Sequence, residues 1–206
     1  MSPTPQIESV QNNYEKYLTY RNHMGRYKKA VKCEFYFEAL LIDYAMLEDR
    51  LLTFLYYIGA VESTFSEIKI PAGSSDFFEQ LYGKKLDKNL WRISEKIRLI
   101  RKVLNWVETD DFFETDRKYQ ITLRKQCREN LNIPGFLTKL DEINNWKDYR
   151  DAVIHALMKK KTSSVSEQNR EKTLEGMELA RYIDRQIGRI KKGNYIRRSL
   201  KAAGKG

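Results

Sequence analysis

A shortage of breakers is what most constrains this chain. In 206 residues, proline occurs only at positions 3, 5, 71 and 134, and nowhere does an apolar-polar alternation persist long enough to specify a strand. Between the breakers, apolar residues recur at spacings of three and four, as in helices that bury one face. The expected fold is all-α, an antiparallel helical bundle of about five to six helices.

The pattern also places the helices. Residues 7 to about 31 carry Ile7, Val10, Tyr14 and Leu18 on one face, with Gly25 as a candidate kink. From about 29 to 58 a broad stripe that includes Phe37, Leu40, Leu47, Leu51, Leu55 and Ile58 marks a central helix. Turn formers fill 71–89, with a short helix near 77–81. Leu90, Ile93, Ile97, Ile100, Val103, Leu104 and Val107 specify the next helix, and Trp91 and Trp106 widen its apolar face.

The acidic run ETDDFFETD at 108–116 lacks the alternating acids and central glycine of a calcium loop. It reads as a solvated capping loop with a helix N-cap at Thr115 or Asp116. A helix to about 131, a break at NIPG, a helix from 136 to about 160 and a last one from about 167 through 187 follow. Together these make a single helical domain over 1–187. After Asp184 the chain has eight Lys or Arg and no acid, so 188–206 reads as a basic, fraying tail.

Charge narrows the partners. Lys and Arg number 38 against 28 Asp and Glu, a formal net charge of +10, which attracts phosphates or acidic surfaces and makes nucleic acid the first partner to consider. Cys33 and Cys127 have no neighbouring cysteine, which argues against a disulfide framework or a zinc knuckle. Neither metal nor cofactor is expected, because the two histidines and two cysteines show no ligand spacing and no glycine-rich phosphate loop is present. The start, MSPTPQ, has no basic-then-apolar leader, and the longest apolar run, 51–61, is short of the about 18 to 20 residues that span a bilayer. A cytoplasmic protein without membrane contact is the expectation. Tyr14, Tyr17 and Tyr20, at helical spacing, read as core or interface rather than as base-stacking residues. His23 reads as a surface or capping residue.

One segment stands apart: YRDAVIHALMKKK, 149–161. A helix there puts Asp151 and His155 one turn apart on one face, and Arg150 lies close enough for its long side chain to reach the same place. An imidazole can take or give a proton near neutral pH, a guanidinium can hold a phosphate oxygen, and a carboxylate can orient either. Lys159, Lys160 and Lys161 follow and would hold neighbouring phosphates, as would Arg197 and Arg198 in the tail.

The stretch RDAVIH, with Arg150, Asp151 in the polar slot and His155, resembles the signature of the HEPN family, an arginine followed by a polar residue and, a few residues on, a histidine. An all-helical chain with the motif in a late helix extends the resemblance. It implies a metal-independent endoribonuclease whose composite active site forms across a homodimer, with Arg150, Asp151 and His155 as catalytic residues and RNA as substrate. It further implies a role in phage defence or as a toxin, with a possible antitoxin or regulatory protein as partner. The competing expectations are a non-catalytic helical module that binds RNA or protein, and a dimerisation protein that uses the aromatic-rich first two helices.

Overall fold

The computed structural model describes residues 10–64, 75–83, 85–86, 92–114, 116–156, 166–193 and 196. Among them the chain forms seven helices and no strand: α1 Asn13–Lys32, α2 Tyr36–Tyr57, α3 Ser75–Tyr82, α4 Ile93–Glu108, α5 Arg117–Asn130, α6 Ile133–Ala156 and α7 Ser166–Gly193. The all-α expectation holds among the described residues, and the seven helices match the stretches placed by periodicity while exceeding the overall count of about five to six.

Local chemistry sets the boundaries. The Asn12 side chain accepts from the amides of Tyr14 and Glu15 and starts α1, which runs through Gly25 without a break. Between α1 and α2 the chain turns at Glu34, whose φ of 60° is left-handed. The central helix therefore begins at Tyr36, not near 29. At its other end Gly59 takes φ 83°, and the Ala60 amide donates to the Leu55 carbonyl, closing α2. Asp116 caps α5 by accepting from the Tyr119 amide, as the sequence suggested. Asn132 accepts from the Gly135 amide, so NIPG forms the first turn of α6 rather than a gap before it. Proline costs little there, because first-turn amides have no partner inside the helix.

Packing centres on α2. Its Leu40, Leu47, Leu51, Phe54 and Leu55 are fully buried, and α7 covers it along its length. The Thr173 hydroxyl reaches the Tyr36 carbonyl, Arg50 pairs with Asp184 at 2.8 Å, and Lys191 lies over the Tyr57 ring. Both helices therefore advance in the same direction. This corrects the antiparallel expectation, and the parallel pairing is possible because α3 to α6 separate the two helices in sequence. Two further contacts are antiparallel: α1 on α2 through Arg26–Glu38 and Lys16–Asp49, and α6 on α7 through Tyr149–Asn169 and Trp146–Lys172. A second aromatic cluster joins α3 to α4 and α5, with Phe77 meeting Phe78, Trp106 and Tyr119 edge to face.

The expected start of a tail at 188 falls inside α7. Ile190 and Ile196 are fully buried. The Gln126 amide donates to the Ile190 carbonyl and accepts from the Ile196 amide, joining α5 to this last stretch. The isoleucines outweigh the weak helix propensity of Gly188, which is exposed and has open space around it.

Candidate functional site

The candidate site lies at the C-terminal end of α6. Phe136, Leu140, Ile143 and Trp146 are fully buried at spacings of four, three and three and anchor the helix. The Trp146 indole donates to the Lys172 carbonyl at 2.6 Å and lies against Gly176, which fixes α6 against α7. Beyond Trp146 no residue of α6 is fully buried. The last turns of the helix lie at the surface and carry the motif.

Arg150 is half-buried and already engaged. Its Nη1 donates to Asp151 Oδ1 at 2.7 Å, and its guanidinium carbon lies 4.0 Å from the centre of the Tyr44 ring of α2. Its Nε is buried without a hydrogen-bond partner. Asp151 also has the Lys147 ammonium at 3.9 Å. His155 is exposed and makes no hydrogen bond or ion pair among the described residues. Arg150 and Asp151 thus form one unit held against α2, and the imidazole stands clear of it in solvent. Asp151 orients the arginine, one of the two roles its position allows, and has no bond to His155.

Three residues that sequence reasoning did not assign to the site extend it inward. Burial raises the Tyr44 phenol above its ordinary pKa, the nearby Glu48 carboxylate adds to the shift, and Arg150 opposes it. Glu48 in turn accepts from the Lys96 ammonium at 2.8 Å. Lys96, on α4, is only 2% exposed, and burial lowers its pKa while the Glu48 hydrogen bond resists. A polar path therefore runs from Asp151 through Arg150 and Tyr44 toward Glu48 and Lys96. The signal for Lys96 is in the sequence: it sits three residues after Ile93 and four before Ile100, a charge inside an apolar stripe.

The remaining expected site residues, Lys159, Lys160, Lys161, Arg197 and Arg198, lie outside the described residues, as does Thr115. The acidic loop before α5 is held from that helix: Gln120 exchanges two hydrogen bonds with Phe113, and Arg124 donates to the Asp111 carbonyl. Among the described residues no group of three or more His, Cys, Asp or Glu is placed to hold a metal ion. No helix among them is long and apolar enough to cross a membrane. Cys33 is exposed, and burial pushes the Cys127 thiol up to about 12. In comparisons with known proteins, no family model, no curated protein and no solved structure matches this chain.

Proposed function

We propose that the protein is a metal-independent endoribonuclease of HEPN type, with Arg150, Asp151 and His155 forming half of a composite site completed by a second copy of the chain. The observation that carries the reading is the disposition at the end of α6, where an exposed imidazole follows, one turn on, a carboxylate that holds a guanidinium. In the reaction, His155 takes the proton of an RNA 2′-hydroxyl, and the 2′-oxygen forms a bond to phosphorus as the bond to the 5′-oxygen breaks. The His155 of the second copy gives that oxygen a proton, leaving a 2′,3′-cyclic phosphate and a 5′-hydroxyl. Arg150 stabilises the charge that builds on the nonbridging oxygens, and Asp151 fixes its direction. Lys159 to Lys161, Arg197 and Arg198 track the flanking phosphates. A toxin or phage-defence role in the cytoplasm, held in check by an antitoxin-like partner, suits such an activity.

Purified protein offered mixed RNA with excess chelator tests this reading. Cleavage that survives chelator and disappears in both His155→Ala and Arg150→Ala supports it; RNA left intact by a dimeric preparation defeats it. A second reading, a non-catalytic helical module binding RNA or protein, is favoured by the engagement of Arg150 with Tyr44 and Asp151, which leaves its guanidinium partly covered. Salt-sensitive RNA binding without cleavage would select that reading.

A further inference from the structure

The outer face of α1 differs from an ordinary solvated helix face. Tyr14, Tyr17, Arg21, Gly25, Lys28 and Lys32 recur at spacings of three and four, share one side of the helix and are all exposed. Tyr14 is 68% and Tyr17 61% exposed, so of the two expected roles, core or interface, these rings do not serve the core. The fold does not need them, because Tyr20, Met24, Tyr27 and Val31 already pack α1 onto the core.

Charge on this helix is one-sided. α1 carries six Lys or Arg and a single acid, Glu15, which is tied up in the first turn with Asn12 and the Gln11 amide. Lys16 and Arg26 are neutralised by Asp49 and Glu38. Arg21, Lys28 and Lys32 form no ion pair among the described residues. A solvated helix face is usually laced with acid-base pairs one turn apart, and this one has none. A concavity beside the stripe is lined in part by Arg21, His23 and Lys29, and His23 Nδ1 is buried there without a partner. A Cβ on Gly25 would meet nothing within 4 Å, so packing does not require glycine at this position.

We infer that the outer face of α1 binds single-stranded RNA. Tyr14 and Tyr17 stack on bases, Arg21, Lys28 and Lys32 hold successive phosphates, and the bare backbone at Gly25 admits the strand closely. Stacking rings beside a line of free cations match the chemistry of single-strand binding. A membrane surface fits less well, because the stripe has no aliphatic side chain to enter the acyl layer. The inference takes RNA from the proposed function and stands apart from cleavage.

The test uses the full chain and a labelled, mixed-sequence 2′-O-methyl RNA of about 12 nucleotides, which lacks the attacking hydroxyl, with binding read by fluorescence anisotropy. Replacing both tyrosines, Tyr14→Ala with Tyr17→Ala, weakens binding by at least about tenfold. The triple change Arg21→Gln, Lys28→Gln and Lys32→Gln weakens it and flattens the plot of log affinity against log salt by about two, at roughly 0.7 per lost phosphate contact. Melting temperatures stay at the wild-type value, since every altered side chain is exposed. Wild-type affinity and salt slope in both variants overturn the inference, as does preference of the wild type for anionic vesicles or for duplex. Chelator-resistant cleavage alongside unaltered binding by the α1 variants would sink the inference and spare the ribonuclease. Binding lost in those variants, with no cleavage by the wild type, would do the reverse.

Discussion

The guanidinium carbon of Arg150 lies 4.0 Å from the centre of the Tyr44 ring, so the arginine of the motif is held by the central helix as well as by its neighbour Asp151. Partly desolvated stacking of this kind contributes roughly 0.5 to 2 kcal/mol. Tyr44→Leu is expected to lower the free energy of unfolding by about 1 kcal/mol in urea, whereas Tyr44→Phe, which keeps the ring, stays near wild type. Arg150→Lys is not conservative here, because an ammonium has neither the flat face for Tyr44 nor the fork for Asp151. It should match the loss in Tyr44→Leu and, in the RNA assay, abolish cleavage. Equal stability of Tyr44→Leu and Tyr44→Phe would mean that the stack contributes nothing.

Asp43 gives the fold a pH dependence. It is fully buried on α2, and neither carboxyl oxygen has a hydrogen-bond partner. Burial pushes its pKa up to about 8, and Arg181 of α7 resists only in part. Tyr27 of α1 and Glu178 of α7 are the other titratable groups whose charges act in this region. The folded chain therefore holds the proton to a higher pH than the unfolded chain, whose Asp titrates near 3.8. The stability this provides is complete below about pH 4 and is lost as pH rises through about 8. Denaturant titrations across that range should show wild-type stability falling relative to Asp43→Asn, with the variant the more stable at pH 9. Parallel curves would show that folding leaves the Asp43 carboxyl titrating as it does in the unfolded chain, near 3.8.

Sequence period located most of these elements and misjudged how they join. Helix α4 was legible because its buried positions, Ile93, Ile97, Ile100, Val103, Leu104 and Val107, keep the three-and-four rule throughout. The turn before α2 was not, since neither glycine nor proline marks it and Glu34 takes the left-handed conformation instead. The parallel pairing of α2 with α7 could not be read, because it depends on contacts between residues far apart in sequence such as Arg50 and Asp184. At the site, Asp151 and its reach to Arg150 followed from helix geometry alone. Tyr44 was hidden among apolar neighbours, and only the fold shows that its ring meets the arginine.

Two glycines on helices make opposite predictions from the same substitution. At Gly25, with nothing within 4 Å of a built Cβ, alanine gains helix propensity alone and should stabilise by about 0.5 to 1 kcal/mol. At Gly176 a Cβ would lie 2.6 Å from Cζ2 of the fully buried Trp146. The ring cannot swing aside without leaving the Lys172 carbonyl, so overpacking of about 1 to 3 kcal/mol outweighs the propensity gain. Thermal melts of Gly25→Ala and Gly176→Ala should shift in opposite directions, and a rise in both would show that α6 and α7 can separate at little cost.

The C-terminal stretch is the place where a cut made on composition would do the most harm. Ending the chain at 187 removes the fully buried Ile190 and Ile196, each contributing about 1.5 to 3 kcal/mol by burial. It also leaves the Gln126 amide without its two partners inside the bundle, at a further cost of about 1 to 3 kcal/mol. That sum rivals the total stability of roughly 5 to 15 kcal/mol common for a domain, so this truncation should melt early or fail to fold. A chain ending at 196 keeps both isoleucines and both Gln126 hydrogen bonds, and should melt far closer to the full chain. Gln126→Ala in the full chain separates the two contributions, because it leaves the isoleucines in place and strands only the Ile190 carbonyl and the Ile196 amide. It should fall between the truncations, and melting as low as the chain cut at 187 would assign the join to the hydrogen bonds rather than to apolar burial.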